Sequence, residues 1–346
     1  QHLGQSVIAD NRAGAAGGRA TRGSAGSGLV AWRTGLAGGL WCGASLFAGR
    51  GGRVALGRVL HLHSPLLVAS GTLGYGFDAP LVDRRALGAS VTKGTTLRPR
   101  QGNPPTRIAE TASGMLNAIG LQNPGVEHVA RAFAPAWAAW PLPVIVNVAG
   151  ESIDEYRAIA RRLSGVAGIA GFELNISCPN VARGLQFGVD PRLAGELTAA
   201  VRAVTPLPLM VKLTPNVTDI VAIARAVADA GADSISAINT YLGMAIDVPR
   251  GKAVLERGAG GLSGPAIKPL ALHAVWQVAA AVPIPVVGVG GISSVSDALE
   301  FLMAGTAADQ LGSINCCRPQ AAREILHGRT TFGEAGVVDY LRSLQP

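Results

Sequence analysis

Eight short apolar runs constrain this chain more than any other feature. They lie at residues 66–70, 90–93, 144–148, 171–176, 209–213, 234–238, 286–289 and 308–311. None alternates polar with apolar residues. A strand with one wet face has a period of two, whereas a strand apolar along its length is covered on both faces, as in parallel sheets. Helical spacing fills most of the gaps. Ser152 and Glu155 have capping-box spacing, and Ile153, Tyr156, Ala160 and Leu163 follow on one face. Leu193, Leu197, Val201 and Val204 repeat the pattern, and residues 219–230 form a third helical stretch. Eight strand–crossover units in about 290 residues fit a (β/α)8 TIM barrel of parallel strands. The alternative, a doubly wound open sheet, is disfavoured because no Gly-x-Gly-x-x-Gly opens a helix after the first strand.

In such barrels, functional residues gather at the C-terminal ends of the strands. Polar residues recur at those ends here: Ser70, Lys93, Asn147, Asn175, Lys212, Asn239, Gly290-Gly291 and Gly312-Ser313. Lys93 and Lys212 each close an apolar run, which is not the setting of a surface lysine. A fixed cation there stabilises charge developing on a ring that gains electrons. The two glycine-bearing loops fall after the seventh and eighth strands, where backbone N–H groups often bind phosphate.

The sharpest local signal is Asn175-Ile176-Ser177-Cys178-Pro179-Asn180. A thiol past a strand end, set between two carboxamides, can take a proton while the amides hold a flat, amide-rich ring. Cys178 alone reads as a small buried hydrophobe, and the flanking asparagines turn that reading toward chemistry. Asn117 lies in Met115-Leu116-Asn117-Ala118-Ile119-Gly120-Leu121, which is expected to be a loop folded over the site. Residues 179–191 have two glycines and no periodicity, and they suit a lid. His61, His63, His128, His273 and His327 form no readable acid–base set. With no Gly-x-Ser-x-Gly elbow, a hydrolase is disfavoured.

Composition sets the outer bounds. The four cysteines, Cys42, Cys178, Cys316 and Cys317, have no metal-ligand spacing, so no metal site is expected from this chain, and a reducing, cytoplasmic setting fits. Of the net charge of +8, residues 1–60 hold +6, from seven Arg and one Asp. The nearly neutral remainder carries no nucleic-acid footprint. Residues 1–51, rich in Gly, Ala and Arg, read as a disordered or spurious extension, with a targeting segment as the alternative. The apolar run 36–49 is shorter than the roughly 20 residues that span a bilayer. Residues 52–346 are taken as the barrel.

Taken in order, several motifs resemble the dihydroorotate dehydrogenases. They are Ala69-Ser70-Gly71-Thr72, Thr92-Lys93-Gly94, Asn117-Ala118-Ile119-Gly120-Leu121, Asn175 to Asn180, Val211-Lys212-Leu213, Asn239-Thr240, Gly264-Pro265-Ala266-Ile267-Lys268-Pro269 and Gly288 to Gly291. The resemblance runs from about residue 53 to near the C-terminus. It implies a TIM barrel with one FMN and oxidation of dihydroorotate to orotate in pyrimidine synthesis. Cys178 resembles the base of the soluble class 1 enzymes, where the membrane-bound class uses Ser. Asn239 to Asp247 resembles the NAD-linked type more than the fumarate-linked type, which stays open as the alternative together with a related flavin barrel oxidising another dihydropyrimidine, as does a flavin barrel without turnover.

The NAD-linked type implies a homodimer of this chain joined to an electron-transfer subunit carrying FAD and a 2Fe–2S cluster, a heterotetramer in all. The resemblance also implies site roles. Cys178 removes the C5 proton. Lys93, Asn117, Ile119, Gly120, Leu121, Asn175, Asn180, Asn239 and Thr240 hold substrate. Ser70, Gly71, Lys93, Thr95, Asn147, Asn175, Lys212, Ile238, Gly264, Gly290, Gly291, Gly312 and Ser313 hold FMN. Three features depart from the pattern. The lid after Asn180 is one residue shorter than usual, Asp309 stands in the last strand where an apolar residue is expected, and the adjacent Cys316-Cys317 pair is unusual there.

Overall fold

The computed structural model describes residues 54–57, 60–77, 82–176 and 185–328. The N-terminal extension 1–51, Cys178, Asn180 and the first part of the expected lid lie outside the described residues. Eight parallel strands close a barrel: β1 Leu66–Val68, β2 Ala89–Val91, β3 Val144–Val148, β4 Gly171–Asn175, β5 Leu209–Leu213, β6 Ser234–Ala237, β7 Val286–Val289 and β8 Ala308–Leu311. Each pairs with its neighbour in sequence, and β8 returns to β1 through Asp309 opposite Leu66. All eight expected strands are present. β1, β2, β4 and β6 stop one or two residues early, so Ser70, Lys93, Ile176 and Ile238 belong to the turns beyond them.

Five longer helices pack outside: α1 Ile153–Leu163, α2 Pro191–Arg202, α3 Ile220–Asp229, α4 Lys268–Ala281 and α5 Val295–Met303. Ser152 caps α1, its Oγ accepting from Glu155 N at 3.3 Å, but Glu155 Oε2 accepts from Glu151 N at 2.8 Å rather than from Ser152 N. Asp190 and Asp219 cap α2 and α3 in the same way. These caps satisfy N–H groups that a helix start cannot pair internally.

Alternation along the strands divides the core in two. Val146, Val148, Phe172, Leu174, Val211, Leu213 and Ile235 pack outward against Tyr156, Leu163, Leu197, Val201, Ile223 and Val227 of the helices. Their neighbours Leu67, Ala89, Val91, Ile145, Met210, Val287 and Ala308 face inward. An antiparallel hairpin, Val54–Leu56 with Leu60–Leu62, inserts Leu56, Leu60 and Leu62 among them and plugs the N-terminal end. Above this apolar floor the inward layer turns polar: Asn147, Glu173, Lys212, Ser236 and Gln310 are all buried.

Asp309 points the other way, into the helix layer. Thr306 Oγ1 donates to its Oδ1 at 3.0 Å, and Gly288 beside it makes room, since a Cβ there would lie 3.0 Å from that oxygen. The carboxylate is accommodated rather than stranded.

One expectation is corrected. Asn117 is not in a loop. It ends a strand, Gly114–Asn117, that pairs with Ile108–Thr111 through a two-residue connection at 112–113. These two strands join Ala259–Ser263 and Tyr241–Met244 in a four-stranded antiparallel sheet. That sheet unites the excursions after β2 and β6.

The hairpin plug gives a first prediction. Leu62 is fully buried, so Leu62→Ala is expected to cost about 2–5 kcal/mol in urea unfolding. A cost below about 1 kcal/mol would mean the hairpin does not seal the barrel floor.

Candidate active site at the barrel mouth

The chain leaves each strand at the same rim, and a linked set of polar groups results. Asn175 ends β4, and Tyr156 of α1 donates its OH to the Asn175 carbonyl at 2.7 Å. Asn239, just beyond β6, donates from Nδ2 to Asn175 Oδ1 at 3.2 Å and accepts from Thr240 N at 2.9 Å. Thr240 lies against Gly261, where a Cβ would stand 2.2 Å from Thr240 Oγ1. Asn117 Nδ2 donates to the Gly261 carbonyl at 3.3 Å. Thus Asn117, Asn175, Asn239 and Thr240, expected together from sequence, form one connected cluster. Asn216 was not anticipated. Its Nδ2 donates to the Thr240 carbonyl at 3.0 Å and its Oδ1 accepts from Leu242 N at 2.9 Å, fixing the turn after Thr240.

The residues after the Gly114–Asn117 strand follow the rim too. Asn103 N donates to the Ile119 carbonyl at 2.9 Å, and Gly120, with φ of 75°, packs on Asn103. Asn123 pins the segment: it accepts from Thr96 N and Gly125 N, and donates to Thr96 Oγ1 and the Leu121 carbonyl. Ile119, Gly120 and Leu121 are thereby held beside the turn after β2.

That turn carries Lys93, Gly94 and Thr95. Lys93 N donates to the Gly74 carbonyl at 2.8 Å. Burial, and then the neighbouring Arg107 guanidinium, lower the Lys93 pKa. Thr95 is fully buried, its N donating to the Asn147 carbonyl at 2.8 Å, with its Oγ1 3.2 Å from Tyr75 OH. Burial pushes Tyr75 up to about 12, so it stays a neutral phenol. Lys212 on β5 is buried, level with Asn175 on one side and Ser236 on the other.

The remaining predicted residues assemble at the opposite part of the rim. Gly264 and Gly291 touch: a Cβ on Gly291, whose φ is 76°, would lie 2.9 Å from the Gly264 carbonyl oxygen. A Cβ on Gly264 would lie 2.7 Å from Gly114 Cα and 3.6 Å from Ser313 Oγ. Gly290 packs on Ala271 of α4, and Gly312 stands beside Ala69. Ala69 N donates to the Leu311 carbonyl at 2.9 Å, and Asn315 reaches Thr72 Oγ1 at 3.3 Å, so Ser70 and Gly71 sit next to the Gly312-Ser313 turn. Backbone comes this close only where side chains are missing.

An ion cluster missed in the sequence holds this region. Lys268 Nζ lies 2.7 Å from Asp297 Oδ1 and 3.0 Å from Glu300, while Ser293 N and Oγ both donate to Asp297 Oδ2 at 2.9 Å. For Asp297, burial would raise the pKa, but the Lys268, Ser293 and Ser294 donors outweigh it and the net shift is downward. A lowered carboxylate pKa gives stability that is present above the unfolded value and lost as pH falls through the folded value. Lys268→Met is therefore expected to cost about 1–2 kcal/mol near neutrality. That cost should shrink below about pH 4, as measured by urea unfolding. A cost that does not change with pH would contradict the pairing.

Among the described residues, no group of three His, Cys, Asp or Glu could hold a metal. Flavin fits better. The carbonyl Oδ1 of fully buried Asn147 has no hydrogen-bond partner and faces the Gly94 turn, an acceptor awaiting a donor. Two cationic lysines and the glycine-lined turns suit an electron-accepting ring and a phosphate.

Comparison with known proteins agrees with this geometry. Residues 58–328 match the dihydroorotate dehydrogenase family model. A Desulforamulus reducens protein named dihydroorotate dehydrogenase B (NAD(+)), catalytic subunit, is 54% identical over 79% of this chain and 90% of its own length. A Pelobacter propionicus protein of the same name is 51% identical over 83% of this chain and 96% of its own. The fold is also that of a DHODH from Eimeria tenella, solved in complex with ferulenol, with a TM-score of 0.70 at 20% identity, covering 86% of this chain and 90% of that one. By sequence, fold and the residues at its barrel mouth, the chain belongs to the dihydroorotate dehydrogenase family.

Proposed function

We propose that the chain is the catalytic subunit of an NAD-linked dihydroorotate dehydrogenase, oxidising (S)-dihydroorotate to orotate in pyrimidine biosynthesis. The observation that carries this reading is the linked amide cluster of Asn117, Asn175, Asn239 and Thr240 beside Lys212 at one end of a closed barrel. A dihydropyrimidine ring presents carbonyls, N–H groups and a carboxylate. Carboxamides match the first two because each both donates and accepts. FMN, when bound, supplies the acceptor for the hydride leaving C6.

The chain's own residues do the rest. Cys178 takes the proton from C5 as thiolate, and Asn180 completes the amide set. Lys93, its pKa lowered by burial, and Lys212 place positive charge beside the ring that gains electrons. Ser70, Gly71, Thr95, Asn147, Ile238, Gly264, Gly290, Gly291, Gly312 and Ser313 would hold the cofactor. FAD and a 2Fe–2S cluster belong to a separate electron-transfer subunit, in keeping with relatives named as catalytic subunits. The working assembly is a homodimer of this chain bearing two such subunits, in the cytoplasm. Among the described residues, no helix is long and apolar enough to cross a membrane.

Anaerobic mixing with dihydroorotate tests the chemistry. The yellow flavin of the wild type should bleach, and Cys178→Ala should stay yellow yet bleach about 10²–10⁴-fold more slowly. Equal rates would remove Cys178 from the reaction.

The bleaching rate should also rise with pH and level off near the thiol pKa, ordinarily about 8.5. A flat profile from pH 6 to 10 would contradict a thiol base. NAD reduction should require the second subunit, whereas fumarate reduction by this chain alone would favour the fumarate-linked type.

A further inference from the structure

Glu173 is a fully buried carboxylate inside the barrel, one layer beneath the mouth. It belongs to none of the quoted motifs, and the side chains that donate to it are not among the residues expected to hold substrate. Three strands donate to it. Asn147 Nδ2 reaches Oε1 at 2.7 Å, while Ser236 Oγ and Gln310 Nε2 reach Oε2 at 2.8 and 2.9 Å.

A carboxylate only accepts, so it decides which end of each amide faces it. Asn147 must turn its NH2 toward Glu173, which sends its carbonyl oxygen the other way. Gln310 is oriented likewise, and its Oε1 also has no partner. Asn147 Oδ1 lies beside the Lys93-Gly94-Thr95 turn, 3.1 Å from where a Gly94 Cβ would be, and Leu121 Cδ2 lies 3.1 Å from the same point, so the missing Cβ is what keeps that oxygen uncovered. Asn147 is fully buried, and leaving its acceptor unmade is costly. A ligand that meets this oxygen must therefore bring a donor.

We infer that Glu173 is a positioning residue that fixes the hydrogen-bond polarity of the cofactor site, locking Asn147 so that it presents an acceptor and selects a ring carrying an N–H. This rests on the flavin reading above. The oxidised isoalloxazine ring has one N–H, at N3, and its other polar ring atoms only accept. A freely turning Asn147 would serve either kind of edge, so the buried carboxylate removes that ambiguity. Ser236 and Gln310 hold the carboxylate still.

The test compares affinities for two cofactors in the full-length chain, by flavin fluorescence after removal of bound FMN. One is FMN. The other is its N3-methyl analogue, in which N–CH3 replaces N3–H and no ring N–H remains. Wild type is expected to bind FMN about tenfold or more tightly than the analogue. In Glu173→Gln the new side-chain amide can donate to Asn147 Oδ1, Asn147 can turn, and the ratio should fall toward about one.

Glu173→Asp keeps the charge but withdraws the acceptor, and the ratio should fall there too. Asn147→Ala, which leaves Glu173 in place, should also abolish the preference, and it carries the test if the Glu173 variants do not fold. A wild-type ratio retained in folded Glu173→Gln and Glu173→Asp, or in Asn147→Ala, overturns the inference. If wild type binds both flavins equally, the locked acceptor is overturned while the flavin site stands. If wild type binds neither, the flavin reading falls first. A purely packing role for Glu173 would lower both affinities together and leave the ratio unchanged.

Discussion

The structure turns on a charge placed where charge is expensive. Glu173 stands inside a closed barrel whose lower layer is mainly apolar, and it is stable there because Asn147, Ser236 and Gln310 meet it from β3, β6 and β8. An isolated carboxylate in such surroundings would be strongly unfavourable, so the four side chains persist as a unit or not at all. That unit divides the barrel into an apolar floor sealed by the 54–62 hairpin and a polar upper layer that opens onto the rim. The expected site residues among those described lie at this boundary or above it. Lys212 is on the next strand, Asn175 two residues further along β4, and Asn239 beyond the end of β6.

The rim then takes its shape from two antiparallel excursions that meet. The strands Gly114–Asn117 and Ala259–Ser263 pair, so the connection after β2 and the connection after β6 become one sheet. That pairing brings Asn117 to the carbonyl of Gly261, against which Thr240 packs. Gly264, at the end of the same strand, lies against Gly114 and reaches toward Ser313 and Gly291. One small sheet thus links the part of the rim suited to a planar amide ring with the part suited to a phosphate.

Much of this was legible in the sequence. Four strands, at residues 144–148, 209–213, 286–289 and 308–311, coincide with the apolar runs, because a strand buried on both faces needs little besides hydrophobicity. Where a run ended in polar residues, as at Thr92-Lys93, the strand stopped earlier and the polar residues formed the turn. The excursion sheet was hidden for a different reason. Ala259–Ser263 contains two glycines, and the hairpin strands are four residues each, so neither gives a strong period. The two-residue Ala112-Ser113 connection between short runs was the available signal.

Glu173 was passed over because it sits within an otherwise apolar run. A charge at an inward position of a barrel strand is a sign of a buried network, and it was readable once the alternation was assigned. Asp309 carries the same lesson with the opposite outcome, since it faces the helices and is housed by Gly288 and Thr306. The Lys268–Asp297–Glu300 cluster joins residues about thirty positions apart, and no local pattern predicts such a contact.

The central claim is that the amide cluster at the mouth receives a flat, carboxylate-bearing pyrimidine. An experimental structure of the FMN-loaded chain with orotate tests it most directly. The account predicts the orotate ring stacked at the C-terminal end of the barrel, its polar edge within hydrogen-bond distance of Asn117, Asn175 and Asn239, and Cys178 Sγ close to C5. Orotate bound away from those asparagines, or Cys178 Sγ turned away from the ring, would contradict it.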